Sequence, residues 1–145
     1  NLVKKFGFLS RMDVLQAAIL NFRIKNLNKV ISARRKNAKF YLKNIDRKKY
    51  LLIDEKDYQF NTYHTFVIQT KNRDKLIKHL KSKGIGSSIH YPIPIHLQPA
   101  AKYLGYKKGS FPQTEKQSKS ILTLPVHQNL KQFELSKIVK CLNQF

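Results

Sequence analysis

The sequence predicts a small α/β (α+β) domain, in which a long N-terminal helix precedes a small sheet of about three strands packed with helices. A chain of 145 residues with 41% hydrophobic content is long enough for one core and too short for two. Helical periodicity dominates the first third of the chain. Short segments rich in β-branched and aromatic residues alternate with further helical patterns downstream.

The long helix is predicted to begin near Ser10. Ser10 is suited to cap its amides, and Asp13 lies favourably at its positive end. Neither Gly nor Pro occurs between Gly7 and Gly84, so the helix is expected to continue to about Asn44. A basic face is expected to be solvated and comprises Arg34, Arg35, Lys36 and Lys39. The apolar stripe comprises Met12, Leu15, Ile19, Phe22, Leu27 and Val30.

The rest of the chain divides into short elements. Gly84 is expected to end a helix that Asn72 or Asp74 caps, and His64 is expected to be structural. Pro112 suits the first turn of a later helix. The closing helix is predicted to bury Phe133, Leu135, Ile138 and Val139. The predicted elements are strands at 49–53 and 63–70, a helix at 75–83, a strand ending at 89–91 that completes a βαβ-like unit, a helical turn at 100–104, a helix at 112–120, a strand at 122–125 and a helix at 132–142.

The formal net charge of +21 comes from 29 basic and 8 acidic residues. The lysines are scattered from Lys4 to Lys140, which favours a compositional bias with solvated faces over nucleic-acid binding, while some of the charge is suited to attract a phosphorylated ligand. Cys141 is the only cysteine, so an internal disulfide and a cysteine-based zinc site are excluded, and no metal is expected. No apolar run approaches a membrane span, which favours a soluble, cytoplasmic protein.

One loop, from Gly86 to Ala100, concentrates polar groups among prolines. Pro92, Pro94 and Pro99 hold the chain extended and fix the directions of neighbouring side chains. Such a loop is a common place for binding groups, but it is equally suited to be a connection with solvated or capping side chains. The candidate ligand-contacting residues are His90, Tyr91, His96 and Gln98.

Several segments together resemble the C-terminal part of the DegT/DnrJ-type sugar aminotransferases. They cover nearly the whole chain in the expected order, and they are 7–20, 63–68, 86–100, 104–106, 111–112 and 122–125. The resemblance implies the small, mostly antiparallel C-terminal domain of a fold-type-I enzyme dependent on pyridoxal 5'-phosphate (PLP). Such enzymes transfer an amino group, usually from glutamate, to a keto sugar linked to a nucleoside diphosphate, and they are typically homodimers.

The resemblance also implies what this chain lacks. In the family, the Schiff-base lysine and most of the phosphate cup belong to a large domain that precedes the matching segment, and the chain begins at Asn1 instead of a methionine. Residues 1–145 are therefore expected to be the small domain, with a long connecting helix at 1–45 and an α/β subdomain at 46–145. No catalytic residue is assigned, and the chain alone is expected to be inactive.

In related enzymes, the segment matching Gly7 to Asp13 approaches the active site of the neighbouring subunit, often with an asparagine at the position of Leu9 that contacts the cofactor phosphate. Leucine cannot form that bond, so Ser10 and Arg11 are the candidates to replace it. Equally, Ser10 is suited to cap the helix and Arg11 to pair with an acid.

For the loop, the resemblance implies that His90, Tyr91, His96 and Gln98 line the substrate side. Two other classes remain open: a small basic nucleic-acid-binding module, and a non-catalytic sensor or scaffold relative of the family.

Overall fold

The computed structural model describes residues 2–7 and 11–145. Within these ranges, no helix is both long and apolar enough to cross a membrane. The predicted helix at 112–120, the helical turn near residue 100 and the closing helix are confirmed. The helices are α1 (Val14–Ile24), α2 (Leu27–Asn44), α3 (Arg73–Ser82), α4 (Pro112–Ser120) and α5 (Gln132–Gln144), the 3₁₀ segments are Ile95–Leu97 and Pro99–Leu104, and the strands are β1 (Leu51–Leu52), β2 (Phe66–Gln69) and β3 (Ile121–Leu124).

The predicted single N-terminal helix is wrong in its continuity, because the chain leaves the α conformation between α1 and α2. Asn26 adopts φ −109° and ψ 7°, and its amide bonds to the carbonyl of Arg23 instead of continuing the helical ladder. Asparagine favours such breaks because its short polar side chain competes with helical hydrogen bonds. The start also differs, since Asp13 is the N-cap and its carboxylate accepts a hydrogen bond from the Leu15 amide. Ser10 lies outside the described residues.

The apolar stripe of α1 forms the predicted helix but does not enter the core. α1 has no buried residue, and Met12, Leu15, Ile19 and Phe22 are each at least half exposed. The domain instead packs on α2, where Asn37, Ala38 and Tyr41 are buried. The helical spacing of apolar residues therefore predicts where a helix forms. It does not predict which helix this domain buries, and here that helix is α2.

The predicted sheet of about three strands is confirmed, and it is antiparallel with the order β1-β2-β3. Phe66 pairs with Leu124 at one end of the sheet, and Gln69 pairs with both Ile121 and Leu51 at the other. The predicted strand at 89–91 is wrong, since only Ser88 forms a single antiparallel bridge, with Thr123. The chain then enters the segment of Pro92 and Pro94, which lack the amide donors that a strand needs, so no βαβ-like unit forms.

The core lies between the sheet and helices α2, α3 and α5. Tyr41 packs against Phe66 with ring centroids 5.0 Å apart. Phe133 was predicted to be buried, but its side chain is 65% exposed. At about 100° per residue, Phe133 lies almost opposite the centre of the buried face of α5. Core residues with no exposed surface include Ile68, Leu76, Leu80, Leu122 and Leu142.

Gly84 ends α3 as predicted. Its φ of +72° lies in the left-handed region, which glycine adopts without the steric cost of a side chain. The reversal directs the chain back to the sheet, where Ile85 is buried and Ser88 meets β3.

Candidate functional site

An open pocket of about 850 Å³ lies at the end of the sheet where β2 begins and β3 ends. Because the two strands are antiparallel, these ends are adjacent and bring distant segments together. A volume of this size is typical of small-molecule sites. The lining residues are Arg34, His64, Thr65, Gly86, Ser87, Ser88, His90, Tyr91, Thr123, Leu124, Pro125, Val126 and His127.

Arg34 connects α2 to the segment that precedes β2. Its Nη1 atom donates hydrogen bonds to the carbonyl oxygens of Tyr63 (3.3 Å) and His64 (2.9 Å). These bonds support a backbone turn in which Tyr63 has φ 48°, an uncommon conformation for a residue with a side chain. A guanidinium has five N–H donors, so Arg34 retains donors for a ligand in the pocket.

Thr123 positions His90. The Thr123 backbone exchanges two hydrogen bonds with Ser88, of 3.1 and 2.8 Å, and its hydroxyl lies 3.0 Å from Nδ1 of His90. Thr123 is buried, whereas His90 is exposed. Because Nδ1 is engaged by the threonine, Nε2 is the ring nitrogen suited to meet a ligand. The Tyr91 ring stands edge-on to the imidazole, with centroids 5.7 Å apart, and Tyr91 is exposed.

His96 is buried and does not line this pocket. Its Nε2 atom lies 3.0 Å from Oε1 of Glu115 on α4, and the Glu115 carboxylate also accepts hydrogen bonds from the amides of Gly109 and Phe111. Burial raises the pKa of Glu115, but the hydrogen bonds from His96, Gly109 and Phe111 outweigh it, so that the net pKa is below its usual value. This arrangement joins the proline-rich loop to the start of α4.

Gln98 is also buried and bonds within the chain. Its Oε1 atom accepts a hydrogen bond from the Val3 amide (2.8 Å), and its Nε2 donates to the carbonyl of Ile93 (3.2 Å). The Ala100 amide donates to the carbonyl of Val3 (2.9 Å). The N-terminal segment 2–7 is therefore attached to the far side of the loop.

The structure divides the four predicted loop residues into two pairs. His90 and Tyr91 line the pocket, whereas His96 and Gln98 hold the loop from behind. Arg11 is exposed and is not among the lining residues. The other predicted cofactor contact, Ser10, lies outside the part of the chain that the structure describes.

Sequence reasoning assigned no ligand contact to several lining residues. Arg34 was expected to be solvated on a helix, and His64 was expected to be structural. His127 follows the end of β3, so correct pairing of β2 with β3 would have placed it near His64. The position of Arg34 depends on how α2 packs, for which the sequence offers no local signal.

The lining suits a ligand with hydroxyl and phosphate groups. Arg34, Ser87, Ser88 and Tyr91 supply donors, and neither a lysine nor a carboxylate occurs among the lining residues. For PLP, the lining offers partners for oxygen atoms but no amine to bond its aldehyde carbon. No group of three or more His, Cys, Asp or Glu side chains in residues 2–7 and 11–145 is placed to hold a metal ion.

The fold recurs in solved structures. The DesV protein of S. venezuelae superimposes with a TM-score of 0.87 and 29% identity over 92% of this chain and 36% of that one. A DegT/DnrJ/EryC1/StrS aminotransferase from Brucella abortus gives a TM-score of 0.85 and 30% identity, over 93% of this chain and 36% of that one.

Proteins of similar sequence match this chain over a similar share of their own length. A "Pleiotropic regulatory protein" of Geobacillus stearothermophilus is 35% identical, and the "dTDP-3-amino-3,6-dideoxy-alpha-D-galactopyranose transaminase" of Aneurinibacillus thermoaerophilus is 33% identical. Each match covers 96% of this chain and 38% of the relative, so the chain spans just over a third of their length. The profile of the DegT/DnrJ/EryC1/StrS aminotransferase family matches residues 1–143, and the chain therefore belongs to this family.

Proposed function

We propose that this chain is the substrate-binding small domain of a PLP-dependent aminotransferase that aminates a nucleotide-linked keto sugar, with glutamate as the amino donor. The product would serve the biosynthesis of polysaccharide, lipopolysaccharide or other glycoconjugates. One observation carries the proposal: the pocket at the end of the sheet joins Arg34, His90 and Tyr91 in a cavity sized for a small ligand. Family membership and the transaminase names of several relatives support it.

In this proposal, the three polar side chains bind and orient the substrate. His90 uses Nε2 to hydrogen-bond a sugar hydroxyl or a diphosphate oxygen, because Thr123 engages its Nδ1. Tyr91 contributes its hydroxyl and an exposed ring face. Arg34 offers its remaining N–H donors to the diphosphate, for which a guanidinium is well suited.

His96 and Gln98 act in the proposal by positioning. The bond of His96 to Glu115 and the bonds of Gln98 to Val3 and Ile93 hold the loop that presents His90. Both residues therefore support the substrate site indirectly, through the loop geometry that they maintain.

The cofactor, when bound, supplies the electron sink that exchange of an amino group requires. Residues outside this chain would provide the lysine that holds it, and a second subunit of a homodimer would complete the site. Ser10 and Arg11 remain our candidates for its phosphate, because Leu9, in place of the usual asparagine, cannot form that bond. The chain alone is therefore proposed to be inactive.

The test uses a longer protein that contains this chain. Glutamate-dependent formation of 2-oxoglutarate is measured with dTDP- and UDP-linked keto sugars for the parent, His90→Gln and Tyr91→Phe. Tyr58→Phe is the matched control, since Tyr58 is exposed and does not line the pocket. Both pocket variants should raise KM or lower kcat by about tenfold, as expected for a lost hydrogen bond to a charged group.

Unchanged kinetics in both pocket variants would remove these residues from the substrate site. Turnover by the isolated 145-residue chain would contradict the assignment of the cofactor lysine to residues outside it. Absence of activity with every keto sugar, together with retained binding of the nucleotide sugar, would favour the non-catalytic alternative, which the name of the regulatory relative from G. stearothermophilus supports.

A further inference from the structure

A second concave site lies at the opposite end of the sheet, where β2 ends and β3 begins. Its volume is about 790 Å³. We name it the basic pocket, after six of its lining residues, which are Arg47, Lys48, Lys49, Lys71, Lys116 and Lys119. The lining residues with uncharged side chains are Tyr50, Leu51, Gln69, Thr70, Asn72, Ser120 and Phe145.

Hydrogen bonds bring these distant cations to one place. The Thr70 amide donates to the carbonyl of Ser120 (3.0 Å), and Nη1 of Arg73 donates to the carbonyl of Ser118 (2.6 Å). The end of β2 and the start of α3 are thereby fixed against the end of α4. Lys71 and Lys116 consequently line the same cavity although they are far apart in sequence.

The balance of side-chain charge in the basic pocket is one-sided, since no acidic side chain lines it. Arg47 is paired with Asp54, and Nζ of Lys49 donates to the carbonyl of Asn143. The other four lining cations form no ion pair within the described residues, and they are Lys48, Lys71, Lys116 and Lys119. Like charges repel one another, and an anion bound among them would relieve that repulsion.

The start of α3 reinforces this field. The helix begins at Arg73, directly after the lining residues Lys71 and Asn72, and the Asn72 side chain does not cap it. Helix N-termini carry a partial positive charge that favours phosphate groups. Asp74 lies in the same first turn but is paired with Arg73 and does not line the cavity.

We propose that the basic pocket binds a small ligand that carries several phosphate groups, separately from the pocket of His90. Six cations converge on one cavity of a size typical of small-molecule sites, which favours such a ligand over a nucleic acid. Clefts lined by a single sign of charge concentrate ions of the opposite sign.

The test measures binding of tripolyphosphate to the chain by calorimetry at fixed ionic strength. The variant Lys71→Gln/Lys116→Gln/Lys119→Gln is compared with Lys25→Gln/Lys29→Gln/Lys36→Gln, which changes the net charge equally at exposed positions outside the basic pocket. The first variant should weaken binding by about tenfold or more, and the control by no more than about twofold. His90→Gln should leave the affinity unchanged. Circular dichroism checks that each variant is folded.

Equal losses in the two triple variants would overturn the proposal, because they would show attraction by net charge alone. Absence of tripolyphosphate binding to the parent chain would also overturn it. A short DNA duplex serves as the competing probe, and a larger loss of duplex affinity than of tripolyphosphate affinity in the first variant would assign this surface to nucleic acid instead.

Discussion

Nε2 of His96 lies 3.0 Å from Oε1 of Glu115, and the two buried side chains are 19 positions apart in the sequence. The pair connects the proline-rich loop to α4, and the amides of Gly109 and Phe111 donate to the same carboxylate. One acidic side chain thus accepts hydrogen bonds from three residues in two segments. Its removal leaves the buried His96 ring and two partly buried amides without an acceptor, which is more costly than the loss of an exposed ion pair.

Glu115→Ala should lower the melting temperature by about 5 °C or more, because three donors lose their acceptor at once. Thermal unfolding followed by circular dichroism measures the effect. Asp57→Ala is the matched control, since Asp57 is exposed, and it should have little effect. Similar melting temperatures for the two variants would show that the His96 to Glu115 bond contributes little to stability.

Acidification should weaken the fold through the same carboxylate. Its pKa in the folded chain is below the usual 4.5, so the unfolded state binds more protons as the pH falls through this region. The contribution of Glu115 to stability is therefore complete above about pH 4.5 and is lost as the pH falls further. Urea unfolding between pH 7 and pH 3 should show a shallower pH dependence for Glu115→Gln than for the parent. Parallel curves would contradict this assignment.

The Tyr50 hydroxyl should ionise at a higher pH than an ordinary tyrosine hydroxyl. Burial, followed by the nearby charge of Asp46, raises its pKa to about 12, and its hydroxyl donates to the carbonyl of Leu142 (2.9 Å). Its contribution to stability is complete below pH 10, the usual tyrosine value, and is lost as the pH rises through about 12. Tyr50→Phe should cost about 1 kcal/mol at neutral pH.

Absorbance at the wavelength of tyrosinate follows this titration. Tyr50→Phe should remove a component of this titration near pH 12. A spectrum in which Tyr50→Phe keeps the absorbance change near pH 12 would disprove the effect of burial on this tyrosine.

Leu122→Ala should destabilise the domain by about 2–5 kcal/mol, because the side chain is fully buried in β3 and its truncation leaves a cavity. Phe133→Ala should change the free energy of unfolding by less than about 0.5 kcal/mol, since the ring is exposed. Chemical denaturation of the two variants measures both effects. A large loss of stability in Phe133→Ala would contradict the exposure of this ring and favour the burial that helical spacing predicts.

Thr123→Val should disturb His90 without unfolding the domain, because it removes the hydroxyl 3.0 Å from Nδ1 and keeps a similar volume. The nitrogen chemical shifts of the His90 ring should change, and in the longer enzyme kcat/KM should fall by about three- to tenfold. Thr65→Val, at another lining position, is the control. Unchanged His90 shifts in Thr123→Val would show that the threonine does not position the ring.

Local sequence patterns were sufficient for most elements of the fold. Pro112 marked the start of α4, Gly84 marked the end of α3, and β-branched residues marked β2 and β3. These signals act within a few residues, through fixed φ angles, left-handed turns and side-chain periodicity, so they can be read along the chain.

Local sequence patterns gave wrong predictions where the burial of a side chain depended on a second segment of the chain. The apolar stripe of α1 stays exposed and Phe133 faces away from the core, because burial depends on which face another element covers. The non-helical backbone conformation of Asn26 also interrupts the predicted long helix.

For the site, the sequence by itself determined a rigid polar loop and the family to which it belongs. Only the tertiary structure decided that His90 and Tyr91 line the pocket while His96 and Gln98 support the loop from behind. The different positions of these two pairs follow from contacts with Thr123, Glu115 and Val3, which lie on three distant segments. Long-range hydrogen bonds of this kind depend on how the sheet and helices pack, and no spacing within the loop records them.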